Sequence, residues 1–208
     1  MIVLKRSIMT LYSGPSDIYS HQVRIVLAEK GVSVNIVDVD MNYPDKDFLE
    51  INPYGTLPTL VDRELVLFNS HIIMEYLDER FPHPPLLPVY PVSRAECRLL
   101  MYRIERDLYS KLQFVEENSF KRITTTDKGA ALKSALILME PIFKEKPYFM
   151  NDEFTLVDCV LSPLLWRLPH LGILLPHSAI GIADYENRLF SRESLKASLS
   201  EIEREYGE

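Results

Sequence analysis

Apolar and polar positions follow two different patterns along the chain. Up to about Leu86, short apolar runs typical of β-strands alternate with stretches that repeat every three or four residues, as helices do. Turn residues such as Gly14, Pro15 and Gly31 punctuate these stretches. The predicted strands are 8–12, 32–39, 59–61 and 65–67, and the predicted helices are 20–30, 47–51 and 70–80. This half is therefore predicted to have the order βαβαββα.

Residues 81–91 form a break, since they hold five of the fourteen prolines of the chain. Proline lacks a backbone N–H and has a fixed φ angle, so this segment is predicted to be stiff and not helical. Beyond it, every pattern is helical. The first predicted helix bears an apolar stripe of Met101, Ile104, Leu108, Leu112 and Val115. The second covers 130–143, and Pro141 disturbs its end. A very apolar helix from Leu156 to Leu168 and a last helix over 191–206 follow.

Thr155 and Asp158 have the spacing of a capping box, with Asp in place of the usual Glu or Gln. The helix that they open is so apolar that we expect it at the centre of a helical bundle. Together the patterns predict an α/β domain over 7–86 and an all-α domain over 91–208.

Composition excludes several classes of function. The 23 basic and 30 acidic residues give a net charge of −7, which argues against direct, sequence-specific binding of nucleic acid. If the protein acts near DNA, we expect it to do so through another protein. Two cysteines, Cys97 and Cys159, are too few and too distant for a disulfide framework or a zinc site, so buried, inert thiols are expected. No signal peptide and no membrane-spanning run is visible, and the expected location is the cytoplasm.

The five histidines give no signal for a metal. No two of them lie four residues apart on a predicted helix, so no metal site is predicted. His21 and His71 are expected to pack or cap locally within helices. His83 is different, because prolines on both sides leave it few local partners and favour an exposed imidazole.

Two strings resemble the cytosolic glutathione transferases. Thr56-Leu57-Pro58-Thr59-Leu60 is similar to the loop whose proline is cis in thioredoxin-like domains, and Phe154-Thr155-Leu156-Val157-Asp158 is similar to the capping box of that family's second domain. The resemblance implies a glutathione transferase fold, in which a thioredoxin-like βαβαββα domain is followed by a C-terminal helical bundle. It also implies that the backbone edge beside Pro58 would pair with the cysteinyl part of glutathione.

Longer strings resemble one branch of that superfamily, the stringent starvation protein A branch. They are Ser13–Gly31, Pro58–Leu65, Ile72–Leu86, Pro88–Pro91 and Leu164–Pro169. This resemblance implies a regulator of bacterial transcription that associates with the RNA polymerase holoenzyme during starvation and modulates promoter use. It also implies a homodimer, with the helix that bears Met101 to Val115 at its centre.

The thiol-activating position of the transferases is altered here. Those enzymes hold a hydroxyl or a cysteine near the start of the first helix, and the matching position falls on Asp17. A carboxylate would raise the pKa of a thiol beside it, so no catalysis and no cofactor is expected. Asp17 would also serve as an N-cap. Because Ser13, Ser16 and Tyr19 supply nearby hydroxyls, a glutathione-dependent transferase or reductase stays open as the alternative, with glutathione as its ligand.

A second requirement of the transferases is an acidic or amide residue followed by serine, which holds the γ-glutamyl end of glutathione. Asn69-Ser70 stands there, with a shorter amide than usual, and Ser70 also fits an N-cap with nothing bound. The residues of the vestigial glutathione pocket implied by the resemblance are Ser16, Asp17, Pro58, Asn69 and Ser70.

The proline-rich segment is the expected docking surface. Stiff residues lose little conformational entropy on binding, and His83 and Tyr90 would each add a hydrogen-bonding tip. An ordinary rigid linker between domains, or a scaffold for some other protein, remains a second interpretation. The residues that the resemblance assigns to the RNA polymerase surface are Pro82, His83, Pro84, Pro85 and Tyr90.

Overall fold

A computed structural model describes residues 8–112 and 127–206. Within them, the first half has the predicted order βαβαββα. Its strands are β1 (Thr10–Ser13), β2 (Asn35–Asp38), β3 (Thr59–Asp62) and β4 (Leu65–Phe68), and its helices are α1 (Ile18–Glu29), α2 (Lys46–Ile51) and α3 (Ser70–Arg80).

The four strands form one sheet in the order β2-β1-β3-β4. β1 runs parallel to β2 and antiparallel to β3, and β3 and β4 form the predicted hairpin. Leu11 of β1 and Leu60 of β3 face each other in the register and are fully buried. α1 packs against α3, and apolar side chains such as Val26 and Ile73 are removed from water there. This packing fixes the position of the start of α1, where the candidate site lies.

The second half is helical, as predicted. Its elements are α4 (Pro91–Ile104), a π-helical stretch (Glu105–Tyr109), α5 (Asp127–Glu145), α6 (Leu156–Arg167), α7 (Ile180–Ser191), α8 (Glu193–Ser198) and α9 (Glu201–Glu205). α6 packs against α4 and α7 and is almost wholly buried, which confirms its central place.

The predicted capping box is present at the start of α6. Thr155 Oγ1 accepts a hydrogen bond from the N–H of Val157 at 3.2 Å, and the Asp158 carboxylate accepts one from the N–H of Thr155 at 2.8 Å. Asp158 also accepts hydrogen bonds from the N–H of Phe149 at 2.9 Å and the hydroxyl of Tyr185 at 2.6 Å. Burial raises the pKa of Asp158. Asp158, which stands where Glu or Gln is usual, thus accepts hydrogen bonds from four donors inside the core.

The single helix predicted over 191–206 is wrong. Extended backbone at Arg192 ends α7, and Ser200 begins α9 by accepting a hydrogen bond from the N–H of Glu203 at 3.1 Å. α7 lacks a side-chain N-cap, so its start at Ile180 has no sequence signal. α5 continues past Pro141, and α4 begins at Pro91, because proline fits the first position of a helix.

The described chain divides into two compact units. The first extends to Pro84 and includes Ala197–Glu205, and the second consists of Pro85–Lys196 and Tyr206. The end of the chain thus contributes α9 to the unit that contains the sheet. The domain boundaries expected from the sequence, 7–86 and 91–208, remain predictions.

Candidate functional site

Asp17 is the N-cap of α1. Its carboxylate accepts hydrogen bonds from the N–H of Ser20 at 2.7 Å and from the Ser20 hydroxyl at 2.6 Å. The N–H of Asp17 donates to the carbonyl of Gly14, and a Cβ at Gly14 would lie only 2.6 Å from that of Asp17. The capping role considered for Asp17 is therefore confirmed. A tight turn that needs glycine points its carboxylate at the helix.

Ser13, one of the three nearby hydroxyls, is fully buried at the end of β1. Its Oγ accepts a hydrogen bond from Arg24 Nη1 at 2.6 Å. Arg24, on α1, also donates to the carbonyls of Gly14 at 3.2 Å and Ser198 at 2.9 Å. The Ser13 hydroxyl is thus bound inside the unit and is not presented to a ligand.

Glu203 of α9 neutralises Arg24. Its carboxylate is fully buried, accepts a hydrogen bond from Arg24 Nη2 at 2.6 Å, and accepts another from the N–H of Ser200 at 3.0 Å. His21 is also fully buried, with Nδ1 3.4 Å from Glu203 Oε1 and Nε2 3.1 Å from Ser198 Oγ. We call Ser13, His21, Arg24, Ser198 and Glu203 the buried network.

The expectation that His21 packs or caps locally is wrong, because the structure places it against residues from the end of the chain. Arg24 and Glu203 were likewise missed as site residues. Arg and Glu side chains are rarely fully buried, so the sequence alone gave no reason to bury either of them.

The loop before β3 has the cis peptide bond between Leu57 and Pro58 that the sequence predicts, and Pro58 is buried. Asn52, fully buried, holds this loop. Its amide donates hydrogen bonds to the Thr59 hydroxyl at 2.9 Å and the Thr56 carbonyl at 3.0 Å. The loop is therefore fixed from inside the unit by a side chain that the sequence did not single out.

Asn69, not Ser70, caps α3. The Asn69 side chain accepts hydrogen bonds from the N–H groups of His71 at 3.0 Å and Ile72 at 3.4 Å. Its φ angle of 75° lies in the left-handed region, which Asn tolerates better than most residues. Ser70 is buried as the first residue of α3, so the N-cap role considered for it is wrong.

The remaining pocket residue, Ser16, is exposed beside Asp17. In this arrangement the carboxylate at the thiol-activating position already accepts two short hydrogen bonds, and the buried hydroxyl is bound to a neutralised guanidinium. Chemically, such a site offers a negative charge where a transferase would need to favour a thiolate.

Residues Pro82, His83, Pro84 and Pro85, which we call the proline–histidine segment, are all exposed. The first three belong to the first unit, where Lys30 holds the end of the segment. Lys30 Nζ is buried at the end of α1, lies 2.6 Å from Asp78 Oδ1 on α3, and donates a hydrogen bond to the Pro84 carbonyl. The exposure expected for His83 is confirmed, and a buried ion pair fixes the backbone beside it.

Tyr90 belongs to the second unit and is 77% exposed. It precedes α4, and the Arg94 side chain donates a hydrogen bond to the carbonyl of Pro88 at 3.0 Å. Leu86 is buried, and its carbonyl accepts a hydrogen bond from the N–H of Leu156 at 2.8 Å. The exposed ring of Tyr90 thus follows a stretch that is anchored within its own unit.

The helix expected at the centre of a dimer turns its apolar stripe into its own unit. The four described members of the stripe are Met101, Ile104, Leu108 and Leu112, and all are buried within the second unit. That this helix lies at the centre of a homodimer remains a prediction. Val115 lies outside the described residues. A different face of α4 is exposed and apolar, and it bears Val92, Leu99 and Tyr102.

The buried position expected for Cys97 and Cys159 is confirmed. Both cysteines are buried and neither forms a disulfide, and burial raises the pKa of the Cys97 thiol. Among residues 8–112 and 127–206, no group of His, Cys, Asp and Glu could hold a metal ion. No helix in these ranges is long and apolar enough to cross a membrane.

Two family models match the chain. The N-terminal domain of glutathione S-transferases matches residues 7–79, and the C-terminal domain of the same enzymes matches residues 101–193. Among solved structures, glutathione transferase Omega 3C from Trametes versicolor superposes with a TM-score of 0.81 over 96% of this chain and 92% of that chain, at 24% sequence identity. At this identity the likeness shows the fold.

Two relatives are far more similar in sequence. The chain is 64% identical over 207 residues to a stringent starvation protein A homolog of Coxiella burnetii, covering 99% of this chain and 98% of that protein. It is 56% identical over 198 residues to a stringent starvation protein A homolog of Haemophilus influenzae, covering 95% and 92%. These relatives are named as stringent starvation proteins and not as transferases.

Proposed function

We propose a regulatory function for this chain, which belongs to the glutathione S-transferase family and, within it, to the stringent starvation protein A group. In this proposal the protein is a non-catalytic regulator that associates with bacterial RNA polymerase holoenzyme during starvation and modulates promoter use. It works in the cytoplasm as a homodimer and requires no cofactor.

The observation that carries the proposal is the 64% identity, over nearly the whole chain, to a relative named as a stringent starvation protein A homolog. The net charge of −7 supports recruitment through a protein, because an acidic surface repels DNA phosphates and disfavours non-specific contact.

The geometry at the start of α1 supports the absence of transferase chemistry. Asp17 caps the helix at the thiol-activating position, and Ser13 is bound to Arg24 inside the unit. A glutathione thiol placed here would meet a negative charge, which raises its pKa and removes the nucleophile. The vestigial pocket of Ser16, Asp17, Pro58, Asn69 and Ser70 is therefore proposed to be structural.

The proline–histidine segment supports the assignment of the polymerase surface. Its exposed rings are stiff, and Lys30 fixes the carbonyl of Pro84. A surface that is already ordered loses little entropy on binding. In the proposal, Pro82, His83, Pro84 and Pro85 contact polymerase together with Tyr90, and the imidazole serves as a hydrogen-bonding group.

For the homodimer, we assign the interface to the exposed apolar face of α4. Val92, Leu99 and Tyr102 are each more than half exposed, and apolar side chains of this size are the kind that a dimer buries. Light scattering at micromolar concentration should give twice the 24.1 kDa of one chain. Leu99→Glu should reduce that mass to the monomer value, whereas Met150→Glu, an equally charged change at another exposed apolar side chain, should not.

The test of the proposal combines two measurements on the intact chain. Size-exclusion chromatography with purified RNA polymerase holoenzyme should show co-elution, and glutathione with a generic electrophile at neutral pH should show no turnover above the uncatalysed rate. Lack of co-elution at micromolar concentration would contradict the association. Turnover that Ser16→Ala abolishes would instead support the second candidate, a glutathione-dependent transferase or reductase, which the exposed Ser16 favours.

A further inference from the structure

A pocket of about 250 Å³ lies within the second unit, where the chain turns between α6 and α7. α6 ends at Arg167, and Gly172, with a φ angle of 71°, lets the chain reverse. The N–H of Ile173 donates a hydrogen bond to the carbonyl of Leu168 at 2.9 Å, which closes the turn. The pocket forms between this turn and the outer side of α7.

The wall of the pocket is apolar with one acidic group. Leucine, isoleucine, proline and alanine side chains make most of it, and Glu186 of α7 and His177 supply its titratable groups. Ala183 also lines the pocket, one helical turn before Glu186, so both side chains lie on the same side of α7. Among the described residues, no hydrogen bond or ion pair reaches the Glu186 carboxyl.

We infer that this pocket binds a small organic cation, an ammonium group on a compact apolar body, with the Glu186 carboxylate as its counter-ion. The charge argues for this occupant, because a carboxylate in apolar surroundings regains its lost solvation when a cation joins it. The volume argues for a compact one, since it lies just below the roughly 300–1,000 Å³ of typical ligand pockets.

The protonation of Glu186 gives the site a pH dependence. Burial raises the pKa of Glu186 to about 7, so the carboxyl is neutral in mildly acidic solution and charged above neutrality. Binding of a cation should therefore strengthen as the pH rises. Other titratable groups on the elements packed here include His177 in the wall, the Glu140–Lys144 pair on α5, Asp158 and Arg167 on α6, and Asp184, Tyr185 and Arg188 on α7.

The test uses two probes of the same shape, cyclohexylammonium and cyclohexanol, titrated into the full-length protein and followed by amide NMR. At pH 8 we expect saturable shifts confined to residues 168–186, and about tenfold tighter binding of the ammonium than of the alcohol. At pH 6 the ionised share of Glu186 is about a tenth of its value at pH 8, so most of this preference should disappear.

Three variants separate the pocket from general charge effects. Glu186→Gln should remove the preference for the ammonium and leave the alcohol unchanged. Asp184→Asn, which removes the same charge from an exposed position on the same helix, should keep the preference. Ala183→Leu should fill the pocket and weaken both probes. Absence of saturable ammonium binding at pH 8, shifts outside 168–186, or an unchanged preference in Glu186→Gln would each overturn the inference.

Discussion

Two regions of the molecule use their polar groups in opposite ways. In the buried network at the start of α1, Arg24 and Glu203 form an ion pair with each other. Arg24 also donates hydrogen bonds to the Ser13 hydroxyl and the Ser198 carbonyl. In the proline–histidine segment, only the backbone is anchored, through Lys30, and the rings face outward. The first region resembles a core and the second a binding surface.

The difference teaches where a function can lie in a fold whose transferase chemistry is proposed to be absent. A catalytic site must keep polar groups available to a ligand, whereas the polar groups of the buried network bind one another. A docking surface needs ordered groups with free outer faces, which proline provides at little entropic cost. We therefore propose that the buried network stabilises the first unit and that the proline–histidine segment carries the function.

The largest effect on the free energy of unfolding is expected when Glu203 is removed from the buried network. Glu203→Ala should lower the free energy of unfolding by about 3–5 kcal/mol, because the Arg24 guanidinium would stay buried without its counter-ion. Urea unfolding followed by circular dichroism measures this. The matched control is Glu201→Ala, an exposed glutamate on the same helix, which should change the stability by less than about 0.5 kcal/mol. Equal stability of the two variants would mean that the network does not hold the unit together.

Lys30 anchors the proline–histidine segment, and its removal should have the next largest effect. Lys30→Met removes the ammonium that pairs with the Asp78 carboxylate and donates to the Pro84 carbonyl, which should cost about 2–3 kcal/mol. The same variant should bind polymerase more weakly, although the proline–histidine sequence is intact. Binding as tight as that of the parent, from a folded Lys30→Met protein, would show that the anchor does not order the segment. Lys46→Met, an exposed lysine at the start of α2, is the control.

A smaller effect is expected at Asp17. Asp17→Ala removes the N-cap of α1 and should cost about 1 kcal/mol, within the range for such caps. It should not create transferase activity, because Ser13 stays bound to Arg24. Thermal unfolding and a glutathione conjugation assay check the two parts. A gain of turnover would show that the carboxylate alone had blocked the chemistry.

A pH-dependent effect is expected at Glu186, a half-buried carboxyl that, unlike Glu203, has no basic partner among the described residues. Its pKa in the folded protein is about 7, above its ordinary value of 4.5, so the folded state retains a proton that the unfolded state loses. This contribution to stability is full below pH 4.5 and is lost as the pH rises through 7. Glu186→Gln should therefore match the parent at pH 4.5 and be the more stable protein at pH 8. A constant difference across this range would contradict the shift.

Much of the fold was predictable because its signals are local. Proline and glycine positions marked the ends of the early elements. The spacing of apolar residues alone distinguished strands from helices in the first half. Thr155 and Asp158 predicted the start of the central helix. The structure adds that Asp158 also accepts a hydrogen bond from the Tyr185 hydroxyl. The end of the chain was predicted less well, since the break at Arg192 depends on packing and not on a breaker residue.

The site was predictable only where one residue type decides the chemistry. Asp17 at the thiol-activating position was such a case, and its capping role followed from the same residue. The burial of His21, Arg24 and Glu203 was not predictable, because it needs α9 to pack beside α1 across most of the sequence. Lys30 was missed for the same reason, since its partner Asp78 lies on another helix.

The central claim is that the proline–histidine segment, and not the region around Asp17, carries the proposed function. One affinity measurement tests it most directly. Purified RNA polymerase holoenzyme is titrated onto three immobilised proteins: the parent, Asp17→Ala, and the triple variant Pro82→Ala, His83→Ala, Pro84→Ala, each with its fold verified by circular dichroism. We expect the triple variant to lose at least about tenfold in affinity, roughly 1.4 kcal/mol, and Asp17→Ala to remain within about twofold of the parent. Parent-like affinity in a folded triple variant, with a loss in Asp17→Ala, would contradict the account.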